Sequence, residues 1–185
     1  MNYVQMLLKK QFPDIKGFQP TEKTPVWDEE HSKWIYNFPL QKTMSPAAQI
    51  HHNGKFHWVA SVKVEGQIYL FDSLFSGNLS PSLQIQLASL YGGDFNTITV
   101  PVPSIQQQNN RVDCGLFAIA NIVQFCYGYY IGKDLIKFDV EFLREHLVHC
   151  LERQHMTPFP RIETKAKLNK KKTIYVDISC DCTKC

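Results

Sequence analysis

The most constraining feature of this sequence is a polar loop that runs directly into an apolar segment, with a cysteine at the junction. The loop, Gln106 to Gly115, is crowded with Gln, Asn and Asp and has no apolar periodicity. The segment that follows, Leu116 to Cys126, is apolar on nearly every side, which predicts a helix buried on all its faces. Cys114 stands where the loop becomes the helix, and the positive end of the helix dipole favours a thiolate there. This is a suitable position for a nucleophile.

The same junction also has a purely structural interpretation. Asp113 can be the N-cap of the helix and Cys114 a small core residue, because free cysteines are among the most buried residue types. Only the catalytic interpretation requires partner residues in other parts of the sequence, since a cysteine nucleophile needs a base, a group that orients the base, and donors for an oxyanion. Gln108 lies upstream in the loop, where its side-chain amide can donate to an oxyanion together with the backbone N–H of Cys114.

Two extended runs of sequence supply a base and its orienting group. The first is His57–Val64 and the second is Gln67–Asp72, and the tight-turn pair Glu65-Gly66 between them predicts a β-hairpin. A hairpin returns the chain to its own start, so His57 and Asp72 are expected to be neighbours, and an aspartate beside a histidine stabilises the imidazolium. Taken singly, His57 can equally be a hydrogen-bonded strand residue and Asp72 a turn residue.

The rest of the pattern predicts a mixture of helices and strands in one domain. We expect a short helix before Pro13, a helix that begins at Ser80-Pro81 and ends at Gly92-Gly93, a strand over 97–102, and a last helix capped by Asp139. The apolar face of that last helix comprises Phe142, Leu143, Leu147 and Leu151.

Composition excludes several classes of protein. The chain has 185 residues, of which 44% are hydrophobic and 12% aromatic, as in a single globular domain. A net charge of +3 is too small to indicate a nucleic-acid partner, and no apolar stretch reaches the ~18 residues that a membrane span needs. The N-terminus does not resemble a signal peptide. The six cysteines form no disulfide framework, which indicates a reducing compartment, the nucleus or cytoplasm.

The order and spacing of these motifs resemble those of the ubiquitin-like-protein-specific cysteine proteases, the SUMO-protease family, of which the adenovirus protease is a more distant relative. The matching segments are His57-Trp58, Tyr69 to Ser73, and Gln107 to Gly115, and the resemblance covers about residues 45–155. It implies a papain-like α+β fold in which a central buried helix carries the nucleophile and packs on a mixed β-sheet. Members of this family are also encoded by mobile genetic elements.

The resemblance also implies a role for each site residue. Cys114 would be the nucleophile, His57 the general base and acid, and Asp72 the residue that orients His57. Gln108 would donate to the oxyanion. Trp58 would lie over the narrow channel that takes the Gly-Gly tail of the substrate. Family members usually carry a Trp-Leu-Asn-Asp-like segment before the first helix, whereas this chain begins at Met1 within that helix, so we expect a fragment or a half-built channel.

We expect residues 1–160 to form the catalytic domain and residues 161–185 a basic linker with a cysteine-rich tail. Cys180, Cys182 and Cys185 have ligand-like spacing, but they are three where a structural zinc site needs four. The tail is therefore interpreted as the opening of a zinc finger, with bound zinc and disorder as alternatives, and no cofactor is expected. The basic run Lys165–Lys172 suits a nuclear-import signal or a solvated linker equally.

The function that the sequence favours is hydrolysis after the C-terminal Gly-Gly of SUMO or a related ubiquitin-like modifier. The expected partner is that modifier or its conjugates, bound by a monomer, with no nucleic acid and no membrane involved. Three alternatives remain open: a binding module for ubiquitin-like proteins with little or no activity, an endopeptidase of transposon or virus type with another substrate, and an acyltransferase.

Overall fold

A four-stranded mixed sheet forms the centre of the structure, a computed structural model that describes residues 1–35, 42–92, 97–129, 136–162 and 173–179. The helices are α1 (Asn2–Gln11), α2 (Pro81–Tyr91), α3 (Cys114–Cys126) and α4 (Leu143–Glu152). The strands are β1 (Lys16–Gly17), β2 (Val26–Asp28), β3 (Lys33–Ile35), β4 (Ala47–His52), β5 (Trp58–Val64), β6 (Gln67–Phe71), β7 (Thr97–Val102) and β8 (Ile174–Ser179). The central sheet has the order β1-β4-β5-β6, and the pairs β2–β3 and β7–β8 form two small sheets.

The predicted hairpin is confirmed. Strands β5 and β6 pair antiparallel from Ala60 opposite Phe71 to Val64 opposite Gln67. The two turn residues, Glu65 and Gly66, have φ angles of 50° and 80°. Positive φ at both central positions defines the type I′ turn, whose twist matches that of the flanking strands. The hairpin therefore closes in a fixed register and brings its two open ends together.

Each face of the central sheet packs against its own hydrophobic core. Side chains alternate between the faces of a strand, so Ala60 and Val62 of β5 join the core that contains α1 and α3. Val59 of the same strand joins the second core, with α2, β7 and β8. Helix α3 is buried on every side as predicted, and only Gly115, Asn121 and Cys126 remain partly exposed. The fold is thus α+β, with a buried central helix that starts at Cys114.

The other predicted helices and the strand over 97–102 are present, and only the start of the last helix differs. Helix α2 begins where expected, with Ser80 Oγ accepting a hydrogen bond from the Leu83 N–H at 3.3 Å. The last helix starts later than predicted, because residues 140–142 form a 3₁₀ turn and the Asp139 side chain makes no capping hydrogen bond. Phe142 is consequently exposed, instead of lying on the buried face of α4.

Strand β8 was not predicted from the sequence. Aliphatic residues alternate with more polar ones along this strand, and Ile178 is fully buried in the second core. The strand pairs antiparallel with β7. The predicted basic run Lys165–Lys172 and the cysteines Cys180, Cys182 and Cys185 lie outside the described residues. Among the helices of the described ranges, none is long and apolar enough to cross a membrane.

Candidate active site

The open end of the β5–β6 hairpin holds a histidine and an aspartate in direct contact. His57 precedes β5 and Asp72 follows β6, and the distance from His57 Nε2 to Asp72 Oδ1 is 2.6 Å. Continuing the register by one pair puts Val59 opposite Asp72, so His57 is the diagonal neighbour of Asp72 on the same face. The side chains are only 15% and 10% exposed. The hairpin thus positions this pair as the sequence predicted.

The second ring nitrogen of His57 has no hydrogen-bond partner in the described part of the chain. His57 Nδ1 is buried and makes no hydrogen bond to any described residue. The backbone on both sides of the pair is fixed, since the His57 N–H donates to Asn53 Oδ1 and the Leu74 N–H donates to Asp72 Oδ1 at 2.8 Å. With Nε2 hydrogen-bonded to a carboxylate, Nδ1 is the ring atom that can exchange a proton with another group.

Cys114 is the first residue of α3 and is 5% exposed. The start of this helix abuts β5 at the residue after His57, because a Cβ built on Gly115 would lie 3.7 Å from Trp58 Cδ1 and 3.3 Å from Met1 Cε. The separation from the indole is an ordinary van der Waals contact, and the tighter contact is with the flexible end of the Met1 side chain. The cysteine-bearing end of α3 therefore lies against the start of β5, directly after His57.

Gln108 is held against the residue that follows Asp72. Ser73 Oγ donates to Gln108 Oε1 at 2.6 Å, and the backbone N–H of Gln108 donates to the Ser73 carbonyl at 3.1 Å. Gln108 Nε2 donates to the Asn110 carbonyl at 2.6 Å. The structure therefore joins the predicted oxyanion donor to the end of the hairpin, in the same loop that leads into Cys114.

Asp113 occupies the N-cap position, but its side chain does not cap the helix. One carboxylate oxygen accepts a hydrogen bond from Arg144 Nη2, and the other accepts one from Asn110 Nδ2 at 2.5 Å. Asn110 Oδ1 in turn accepts from the N–H groups of Val112 and Asp113. The interpretation of Asp113 as a simple cap is therefore wrong, and the carboxylate instead fixes the loop to α4. The sequence contained no sign of Arg144, which lies far along the chain.

A groove with a volume of about 860 Å³ opens beside Trp58. Trp27 and His52 also line it, together with Glu22 and Lys55. His52 lies opposite Trp58 in the β4–β5 register, and the two rings meet edge to face with centroids 4.8 Å apart. Burial, with a smaller contribution from the charge of nearby His57, lowers the pKa of His52. The sequence did not predict that Trp27 and His52 line this groove, because their place in it depends on the packing of separate strands.

The remaining described thiols are in different surroundings. Burial raises the pKa of Cys126 to about 12, so this thiol stays protonated and unreactive at neutral pH. Cys150 is buried on α4, with its Sγ 3.4 Å from His146 Nε2. Within the described residues, no group of three His, Cys, Asp or Glu side chains is placed to bind a metal ion.

Part of the chain is similar to a solved SUMO protease structure. No protein-family model matches the sequence, and no curated protein matches it. The solved structure, "SUMO protease Ulp1 with the catalytic cysteine oxidized to a sulfenic acid", is similar over 58% of this chain, with a TM-score of 0.43 and 18% sequence identity. The match spans 53% of the solved chain, about half of its length.

Proposed function

We propose that this chain is a cysteine peptidase that cleaves after the C-terminal Gly-Gly of SUMO or a related ubiquitin-like modifier. The observation that supports it best is the buried His57–Asp72 pair, joined at 2.6 Å beside the strand on which the Cys114 end of α3 packs. A histidine oriented by a carboxylate and a thiol at a helix N-terminus are the two parts that an activated cysteine nucleophile requires.

In the proposed reaction, Cys114 Sγ attacks the carbonyl carbon of the terminal glycine. The proton of the thiol passes to His57 Nδ1, the ring atom that has no other partner among the described residues. His57 then gives this proton to the leaving amine as the C–N bond breaks, which leaves a thioester on Cys114. Water attacks the thioester, and His57 accepts a proton from the water molecule. The proton then passes to Cys114 Sγ as the C–S bond breaks and the glycine carboxylate leaves. Asp72 stabilises the imidazolium in both steps.

The negative charge that develops on the carbonyl oxygen needs donors that are already in place. Gln108 Nε2 carries two N–H groups, and the Asn110 carbonyl accepts one of them. The second N–H, with the backbone N–H of Cys114 at the free end of α3, would form the oxyanion hole.

The proposed substrate class rests on Trp58 and the groove beside it. By resemblance to the SUMO-protease family, the Trp58 indole covers the passage to the nucleophile, and only residues without a side chain fit beneath an indole that packs closely. A Gly-Gly tail meets this condition. The groove between Trp58 and Trp27 would take the part of the tail that precedes the two glycines.

The test is hydrolysis of ubiquitin-like proteins whose C-terminal glycine carries a fluorogenic amide. We expect the chain to release the fluorophore from a SUMO-type substrate, and Cys114→Ala to abolish the release. Cys150→Ala is the matched control, because Cys150 is, like Cys114, a buried thiol, and it should be dispensable for turnover although it lies beside His146. Full turnover by Cys114→Ala, or no turnover by folded wild-type protein on any substrate of the panel, would contradict the proposal.

A further inference from the structure

The orientation of the Gln108 amide decides whether it can donate to an oxyanion. The amide has one accepting end and one donating end, and both are surrounded by protein, since Gln108 is only 7% exposed. The Asn110 carbonyl can only accept a hydrogen bond, so the atom 2.6 Å from it must be the Nε2 of Gln108. The oxygen Oε1 therefore faces the other way, towards Ser73.

Ser73 is the group that satisfies this oxygen. Its hydroxyl lies 2.6 Å from Gln108 Oε1 and, because that oxygen accepts only, the hydroxyl must donate. Ser73 is 2% exposed, so water cannot readily take its place at this contact. Without the hydroxyl, the amide oxygen would be buried and unpaired, and the side chain would gain by turning away from its present position.

The same residue links the two halves of the site. Ser73 follows Asp72 directly, and its carbonyl accepts the backbone N–H of Gln108 at 3.1 Å. Gln107 Nε2 donates to the Asp72 carbonyl at 3.3 Å. The end of β6 thus supports both the carboxylate that holds His57 and the loop that carries the oxyanion donor.

We infer that Ser73 is a positioning residue for Gln108: its hydroxyl holds the amide so that the second N–H of Nε2 faces the reacting carbonyl oxygen. The inference rests on the proposed function and adds to it a residue that does not touch the substrate. It predicts that Ser73 acts on turnover only through Gln108, and not through the reactivity of the Cys114 thiol.

The test compares Ser73→Ala, Gln108→Ala and the double variant, using the SUMO-type fluorogenic amide. Removing one oxyanion donor lowers kcat by about 100- to 1,000-fold, so a misplaced donor in Ser73→Ala should lower kcat by about 10- to 100-fold with little change in KM. The double variant should be no slower than Gln108→Ala, because the two residues act as one unit. Ser73→Thr keeps the hydroxyl and should restore most of the activity.

A second measurement separates positioning from general damage to the site. Alkylation of Cys114 by iodoacetamide develops no oxyanion, so its rate in Ser73→Ala should equal that of wild type. Wild-type kcat in Ser73→Ala, additive losses in the double variant, or alkylation that slows in parallel with kcat would each overturn the inference. Wild-type protein is assayed first, and a lack of Cys114-dependent turnover there would refute the proposed function and this inference together.

Discussion

Replacing Asp72 with asparagine would remove the charge behind His57 while preserving the size of the side chain. The remaining Oδ1 can still accept hydrogen bonds from the Leu74 N–H and from His57 Nε2, so the imidazole should keep its orientation. What disappears is the attraction between the carboxylate and the imidazolium. Asp72→Asn therefore isolates the electrostatic part of the proposed role of Asp72.

The size of the effect can be estimated from the geometry. With the hydrogen-bonded atoms 2.6 Å apart, the two charge centres are about 4 Å apart, and at an effective dielectric constant of about 20 their attraction is about 4 kcal/mol. Every 1.4 kcal/mol of lost transition-state stabilisation is about a factor of ten in rate. Some solvent screening remains at the edge of the pair, so we expect kcat/KM to fall by about 100- to 1,000-fold.

The assay is hydrolysis of the fluorogenic SUMO-type amide over a range of pH, with circular dichroism to verify folding. Asp28→Asn is the matched control, because Asp28 pairs with His31 at a similar distance, 2.7 Å, but His31 is 59% exposed on the surface. That variant should retain full activity. Activity of folded Asp72→Asn within about two-fold of wild type would refute the reasoning, since a pair worth ~4 kcal/mol could not be lost without a change in rate.

Three further predictions concern stability. Both amide atoms of Gln124 are buried without a partner among the described residues, so Gln124→Met should raise the free energy of unfolding by about 1–2 kcal/mol in urea denaturation. Arg144→Met leaves the buried carboxylate of Asp113 with one donor fewer, and should lower the melting temperature by about 2–4 °C, measured by differential scanning fluorimetry. Burial lowers the pKa of His51 to about 4, so the unfolded chain binds a proton there before the folded chain does. The free energy of unfolding should therefore be unaffected by His51 above pH 6.5 and should fall by about 3 kcal/mol as the pH drops towards 4. This dependence on pH should be weaker in His51→Gln.

A less stable Gln124→Met would mean that the amide is satisfied in solution, for example by a bound water. An unchanged melting temperature in Arg144→Met would show that the Asp113 contact contributes nothing measurable, as for many exposed ion pairs. Equal pH profiles for wild type and His51→Gln would remove His51 as the cause of acid sensitivity.

The local parts of this fold were predictable because each depends on residues that are close in sequence. The β5–β6 hairpin follows from Glu65-Gly66 between two extended runs, and the burial of α3 follows from its uniformly apolar composition. The hairpin alone fixes the neighbourhood of His57 and Asp72. These features can therefore be predicted without knowledge of the tertiary structure.

The parts that were missed depend on contacts between distant segments. Strand β8 has a short apolar alternation that becomes a strand only by pairing with β7, far earlier in the chain. The contact of Asp113 with Arg144 depends on how α4 packs near the loop. The hydrogen bond from Ser73 to Gln108 forms only because the end of β6 and the loop meet in the folded chain. Residue type and spacing therefore do not predict how the two side chains are oriented.

The most direct test of the account is the covalent reaction of Cys114 with ubiquitin-like probes that end in a Gly-Gly electrophile. Intact-protein mass spectrometry would follow SUMO-type and ubiquitin probes with wild type, Cys114→Ala and Cys150→Ala. We expect an adduct of the SUMO-type probe with wild type and with Cys150→Ala, and none with Cys114→Ala. An adduct that persists in Cys114→Ala, or no adduct between any probe and folded wild-type protein, would contradict it.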